Sequence, residues 1–591
     1  MFNLKSPMLT VSREVNMVTK YGLFLLLLFT PGRPALSAQT PSTTGQPASG
    51  ETLSQKTDRL FTRWDKPDSP GCALAVIRGG RIDYQRNYGA ANLEHGVLIS
   101  STTVFDTGSM SKQFTAMAVL VLAEQHKLSL DDDIRKYLPE IPDYGAPITI
   151  RHLLHHTSGL RIDDELLNLT DWRFGSLVTN QDVLTLMSRQ KGVNFKPGEY
   201  FEYNNTGYAL LALIISRVSG QSLREFADAN IFRPLGMTRT LFRDDRNVVI
   251  RGLAMAYRPT GGGGFRVHTA VNETVGNGGV FSTVEDLALW DRNFYDRRVG
   301  GDAVIEQMLA PGPELYNGGR FNYGYGLFIG TYRGLRVVEH TGDHYGYHAD
   351  LLRFPDQGFS VICLCNAADA DPWTLARQVS NLYLADEFKP AARKPDEAPG
   401  GAPASVRVPE QELSELAGLY LDPATDTLRR LYVKDGRLMF YGYRIGGRDH
   451  ELRPLGGGRF LMLGIGTRVE LTFTPGRSGA RRRMILTAEG RKPVAHEAVG
   501  PVSPAAGRLA EYAGTYYSEE LDTTYHIVWE GEKLILRVKN SADNPLVQQF
   551  KDAFTDAQMS LIIKFTRDRR GQVTGFSLSS GSARKLGARK V

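Results

Sequence analysis

The chain has 591 residues, 42% of them hydrophobic and 23% charged, with a net charge of +6. These are ordinary globular values, and the length accommodates about three or four domains with a large core. Half of the excess charge comes from Lys5, Arg13, Lys20 and Arg33 against Glu14, and the remainder is too small and dispersed for a nucleic-acid surface.

Residues 1–38 read as a secretory signal peptide. Lys20 precedes the apolar run from Gly22 to Phe29, then come Pro31 and the small-residue stretch Ala35-Leu36-Ser37-Ala38. The run is too short to span a bilayer as a mature helix, and no other stretch approaches ~20 unbroken apolar residues. Met17 is an alternative start that leaves a short basic leader. The expectation is an exported chain, periplasmic or extracellular, without a transmembrane segment after cleavage. Residues 39–54, rich in Gln, Thr, Pro, Ser and Gly, read as a flexible tether.

Residues 55–389 form a large α/β (α+β) segment. Strand-like runs at Cys72–Ile77 and Ile82–Tyr88 open it. Helical patterns follow at Phe114–Glu124, Ile150–His156, Gln181–Gln190 and Tyr208–Val218. Strands return at Leu335–Glu339, Ala349–Phe354 and Gly358–Cys365, before a helix at Trp373–Ala385. Strands at both ends with helices between predict one sheet whose first and last parts pair. The three cysteines, Cys72, Cys363 and Cys365, sit in apolar strand-like runs. They read as buried small hydrophobes, with a Cys72 disulfide as the alternative and at least one thiol unpaired.

Residues 390–409, with five prolines and Gly400-Gly401, read as a linker. Beyond it helical periodicity gives way to short alternating strands. Ala417-Gly418-Leu419-Tyr420 recurs as Ala513-Gly514-Thr515-Tyr516, Leu431-Tyr432-Val433 as Ile527-Val528-Trp529, and Leu438-Met439-Phe440 as Leu534-Ile535-Leu536. One constant offset relates all three blocks. It predicts two all-β antiparallel barrel-like domains, at 410–500 and 505–591.

The chemistry gathers around Ser109-Met110-Ser111-Lys112. A serine and a lysine three residues apart share one helix face, so a buried lysine with a lowered pKa can activate the hydroxyl. The alternative for the tetrapeptide alone is a helix cap with a solvated lysine. Further along, Tyr203 and Asn205 form a Tyr-x-Asn pair ahead of a strong helix. His340-Thr341-Gly342 follows a strand, and Gly276-Asn277-Gly278-Gly279 precedes another helix.

In this order, and with the phrases His155-His156-Thr157-Ser158-Gly159-Leu160 and Pro234-Leu235-Gly236-Met237, these stretches resemble the penicillin-recognising serine hydrolases. That group comprises class C β-lactamases, D-Ala-D-Ala carboxypeptidases, D-aminopeptidases and β-lactamase-like esterases, and the resemblance covers about residues 60–384. It implies a β-lactamase-like catalytic domain with an antiparallel sheet and a helical region. It also implies catalytic roles for Ser109 as acylated nucleophile, Lys112 as proton acceptor and Tyr203 as second proton-transfer group. Asn205, His340, Gly342 and Asp343 would bind substrate, with the Ser109 and Asp343 N–H groups as oxyanion hole. Protonated His340, together with Lys112, would supply positive charge beside Tyr203. β-Lactamases usually carry lysine where this chain has His340, a departure that favours esterase-like or D-aminopeptidase-like members.

The residues exclude other chemistries. There is no Gly-x-Ser-x-Gly elbow and no His-Glu-x-x-His. His340, His344 and His348 have helical spacing, but Gly342 and Gly346 interrupt them, so they read as structural or surface histidines, as do His152, His155 and His156. The Gly261–Gly264 run lacks the Lys-Ser/Thr ending of a phosphate loop. The expectation is a serine hydrolase needing no cofactor and no metal. Its partner would be a small amide, a peptide containing D-amino acids (cell-wall-derived peptides among them) or an ester. β-Lactamase or carboxypeptidase activity, or a non-hydrolytic binding protein on the same fold, are the alternatives. The barrels are open between ligand binding, support and a loop that narrows the cleft.

Overall fold

A computed structural model describes residues 51–172, 176–269, 273–315, 321–389, 406–442, 449–464, 468–474, 482–488, 493–500 and 506–591. The expected signal peptide, most of the tether and the linker through residue 405 lie outside the described residues. No helix among the described residues is long and apolar enough to cross a membrane.

Six strands form the central sheet: β1 (Cys72–Arg78), β2 (Arg81–Tyr88), β3 (Phe328–Tyr332), β4 (Leu335–His344), β5 (Tyr347–Phe354) and β6 (Phe359–Cys365). Their order is β3-β4-β5-β6-β1-β2, and every pairing is antiparallel. The first and last parts of the segment do pair, through β1 and β6. β1 and β6 are buried along nearly their whole length because helices cover both faces. This is why they read as continuous apolar runs rather than alternating ones.

One face packs on the helix Val284–Asp296 and shares its core with α1 (Lys112–Glu124) and α2 (Asn205–Ser219), which pack on each other, are buried on most sides and are therefore apolar nearly all round. The other face packs on α3 (Pro372–Tyr383), whose apolar stripe covers Phe359, Val361 and Cys363.

Cys72 stands opposite Cys365 in the β1–β6 register, and the two form a disulfide; Cys363 remains a buried free thiol. Strand alternation puts Cys363 and Cys365 on one face, with sulfurs 3.7 Å apart. The expectation that all three act as plain buried hydrophobes therefore holds only for Cys363. Sequence spacing does not reveal which antiparallel neighbour a strand will take, and that neighbour fixes the pairing.

Behind the linker stand two closed eight-stranded barrels, within Gly418–Val499 and Gly514–Lys590. The repeat seen in sequence recurs in detail. Gly418 pairs with Leu431 and Gly514 with Ile527, while the buried Tyr420 and Tyr516 hydroxyls each donate to the carbonyl four residues earlier.

The second barrel packs on the catalytic segment. Arg161 and Glu520 form a buried ion pair at 2.6 Å, Asn194 donates to the Ser582 carbonyl at 2.6 Å, and Arg584 pairs with Glu202. Glu165 accepts from the Ala583 N–H at 3.1 Å. These contacts hold the residues immediately beside Asp164 and Tyr203.

Candidate active site

Ser109 lies in a single 3₁₀ turn, Gly108–Ser111, and Lys112 is the first residue of α1. The turn is braced from two sides. The Gly108 N–H donates to Asp106 at 2.9 Å, and the Ser111 hydroxyl donates to the Gly108 carbonyl at 2.6 Å while accepting the Val280 N–H.

β4 runs directly past this turn. β3 pairs with β4 only as far as Glu339, which leaves that edge of residues 340–344 open to it. The His-Thr-Gly stretch is thus part of the strand, not a segment following it. Two glycines permit the approach. A Cβ on Gly342 would sit 1.8 Å from the Thr107 carbonyl, and one on Gly108, whose φ is +52°, would sit 2.8 Å from the Asp343 nitrogen. Gly342 makes room for the nucleophile turn, whereas the sequence had suggested room for substrate. The Ser109 N–H, in the first turn of a helix, has no intrahelical acceptor. The close approach brings its neighbourhood to β4: a Cβ on Gly342, next to Asp343, would sit 3.1 Å from the Ser109 nitrogen.

Lys112 is completely buried. Its Nζ lies 3.1 Å from Ser109 Oγ, 2.9 Å from Asn205 Oδ1 and 2.7 Å from the Asn277 carbonyl. Burial pushes its pKa down to about 7, against the pull of Asp164 and Asp163. Two of its three neighbours only accept. A neutral amine therefore spends both N–H bonds on Asn205 and Asn277 and turns its lone pair to the serine hydroxyl. This is the geometry of a base rather than of a solvated lysine.

Tyr203 lies in the loop before α2, with its ring centroid 4.8 Å from Lys112 Nζ. A contact with Ser109 lowers its pKa slightly, but the hydroxyl has no partner of hydrogen-bond geometry among the described residues. Burial dominates and raises the phenol well above its ordinary value. Asn205 opens α2, and its Nδ2 donates to Asp164 at 3.2 Å. His156 orders this loop: its Nδ1 accepts the Asn204 N–H at 3.0 Å and its ring lies 4.4 Å from that of Tyr203.

His340 departs from expectation. It is buried among Tyr203, Tyr323 and Phe328 and does not line the cavity. Its Nδ1 lies 2.6 Å from the Thr341 carbonyl, which can only accept. Nδ1 therefore carries the proton, and Nε2 accepts from the Tyr323 hydroxyl at 3.1 Å. Burial and the nearby Lys112 charge push its pKa down to about 3. The protonated His340 expected beside Tyr203 does not form near neutral pH. With neither a histidinium nor a permanent ammonium beside it, Tyr203 stays a neutral phenol.

Ser109, Asn205 and Asp343 line a cavity of about 900 Å³. Asp163 and Asp164 form one wall. Asp106, His344, Arg243 and Tyr347 contribute to the rest, and Asn540, Ser541 and Ala542 of the second barrel complete the lining. Asp163 is buried, and that burial followed by the Asp164 charge raises its pKa; Asp164 is exposed to the cavity. His344 Nδ1 lies 2.7 Å from Asp106. Burial alone would lower the imidazole, but the Asp106 charge and hydrogen bond raise it overall. Sequence reading left out Asp164 and Arg243, took His344 and His156 for structural or surface histidines, and gave Asn277 no role beyond its glycine-rich stretch. His344 was legible in principle: it sits two residues after Gly342, on the same face of β4.

A serine hydroxyl 3.1 Å from a buried amine whose pKa is pushed down to about 7 equips the chain as a serine hydrolase. The beta-lactamase family model matches residues 57–383, and the chain belongs to that family. It is 29% identical to penicillin-binding protein 4* of Bacillus subtilis over 450 residues, 73% of this chain and 95% of that protein. It is 26% identical to a D-aminopeptidase of Gluconobacter oxydans, over 62% of this chain and 66% of that protein. Among solved structures, an octameric penicillin-binding protein homologue from Pyrococcus abyssi aligns with a TM-score of 0.51 and 25% identity, covering 75% of this chain and 99% of that one.

Proposed function

We propose that the chain is an exported hydrolase that cleaves short peptides and amides bearing a free ammonium, D-amino-acid derivatives foremost, through an acyl-enzyme on Ser109. In this reading Ser109 Oγ attacks the substrate carbonyl carbon, and its proton passes to Lys112 Nζ. The oxyanion rests on the Ser109 and Asp343 N–H groups. As the C–N bond breaks, the proton returns through the neutral Tyr203 phenol to the leaving amine. Water then attacks the ester, its proton follows the same groups, and the acid leaves with Ser109 restored.

The observation that carries the substrate reading is Asp164. It is an exposed carboxylate in the cavity wall, held by Asn205, which itself touches the catalytic lysine. That position suits a substrate ammonium one or two atoms from the scissile carbonyl. The resemblance to a D-aminopeptidase supports the choice of D-residues. A neutral, buried His340 weighs against the β-lactamase alternative, since it leaves the position where β-lactamases usually carry lysine without a charge. Export rests on the sequence of residues 1–38.

The test compares D- and L-aminoacyl p-nitroanilides with their N-acetylated forms. The expected result is preference for the free D-aminoacyl compounds, lost in Asp164→Asn. Equal rates on free and N-acetylated compounds would overturn the ammonium reading.

A further inference from the structure

The cavity lining also carries a cation, Arg243, with no ion-pair partner among the described residues. Arg243 lies beyond the Leu241–Phe242 strand, its backbone N–H fixed to the Gly279 carbonyl at 2.8 Å. Gly279 belongs to the same turn as Asn277, the carbonyl partner of Lys112. The guanidinium lies 5.4 Å from the centroid of the Phe281 ring, and one Nη2 donor is spent on the Arg246 carbonyl. Its Nε is buried without a partner, and Arg243 forms no ion pair among the described residues. A guanidinium carries five donors in a planar fork that matches a carboxylate. Among the described residues only one of the five is bonded; Nε is buried, and the remaining Nη donors belong to a residue that lines the cavity with Ser109.

Other features of the wall agree. Tyr347 beside Arg243 spends its hydroxyl on the Ala254 carbonyl at 2.5 Å, so it does not satisfy the guanidinium. Asp106, an acid that also lines the cavity, is already held by the Gly108 N–H and His344. An acid and a cation, Asp164 and Arg243, therefore line the same cavity as the half-buried Ser109. The position that carries lysine in the resembling β-lactamases is here the neutral His340, so the cation for an anionic substrate group has to come from elsewhere in the wall.

We infer that Arg243 binds the terminal carboxylate of the substrate's leaving group, so that the preferred substrates are short free peptides with an ammonium at one end and a carboxylate at the other. This rests on the amide-hydrolase reading given above and specifies its leaving-group side. Arg243 is a specificity-determining residue that makes no contact with the reacting atoms. The amine released on acylation is then a free amino acid or a short peptide that still bears its carboxylate.

The experiment measures kcat/KM on a D-alanyl dipeptide and on its C-terminal amide, for the wild-type chain and for Arg243→Met and Arg243→Lys, with melting temperatures to confirm folding. The expected result is a wild-type preference for the acid of tenfold or more, carried mainly in KM. That ratio falls to about one in Arg243→Met and is partly restored in Arg243→Lys. Equal wild-type rates on acid and amide, or a preference that survives in Arg243→Met, would overturn the assignment and leave the amide-hydrolase reading standing. Failure of both peptides while aminoacyl esters are still turned over would overturn the amide reading itself and the carboxylate assignment with it.

Discussion

Replacing Lys112 by methionine should make the fold's stability less dependent on pH, by an amount the structure sets. The lysine is fully buried, and its pKa falls from an ordinary 10.5 to about 7. Below about pH 7 both folded and unfolded chains carry the ammonium, and the folded one bears a desolvation cost of about 5 kcal/mol. Between about 7 and 10.5 the unfolded chain binds a proton that the folded chain does not, so stability rises with pH. From pH 7 to pH 9 this amounts to about 2 kcal/mol.

Methionine fills similar space without a charge. It deprives Asn205 and the Asn277 carbonyl of a donor, a loss that does not change with pH. The difference in unfolding free energy between wild type and Lys112→Met therefore isolates the titration. Urea melts at pH 5, 7 and 9 measure it. Tryptophan fluorescence is a suitable signal, because Trp64, Trp172, Trp290 and Trp373 precede the linker and only Trp529 follows it. The wild type should gain about 2 kcal/mol on the variant between pH 7 and pH 9, and less than about 0.5 kcal/mol between pH 5 and pH 7. A difference that stays constant to pH 9 would mean that the folded lysine keeps its proton, and the case for Lys112 as base would fail.

Hydrolysis of an activated ester should rise with pH as Lys112 loses its proton, with kcat/KM half-maximal near the lysine's pKa of about 7; a profile flat from pH 5 to 9 would contradict this. Gly342→Ala would drive a Cβ to 1.8 Å from the Thr107 carbonyl and displace the turn carrying the Ser109 N–H. Its kcat should fall about 10²–10³-fold, as on loss of an oxyanion donor; near-normal kcat would refute the close approach. Alkylation of the oxidised protein should label Cys363 only after unfolding, since burial raises its thiol pKa and Cys72 and Cys365 are joined. Rapid labelling of the folded chain would contradict this.

The sheet and the barrels were legible because burial leaves a pattern. β1 and β6 read as strands from unbroken apolar runs, and the barrels from a repeat that survives even in the Tyr420 and Tyr516 hydrogen bonds. The Ser109–Lys112 pair was legible because both side chains lie within one turn. What sequence missed depends on contacts between distant segments. His340 is neutral because Tyr323 and Phe328 enclose it, and Arg243 is fixed by its backbone N–H to the Gly279 carbonyl, with no ion-pair partner among the described residues. β4 continues through Gly342 because its neighbour β5 pairs as far as Tyr347, which polar residues after Glu339 do not announce. The Cys72–Cys365 bond likewise follows from a register between strands almost three hundred residues apart.

The covalent intermediate on Ser109 is the central claim, and the intact mass of the protein quenched during turnover of an activated ester tests it most directly. The wild type should gain the mass of one acyl group, located by peptide mapping to the segment containing Ser109, and Ser109→Ala should gain none. An unmodified wild type that hydrolyses the ester no faster than Ser109→Ala would contradict the account.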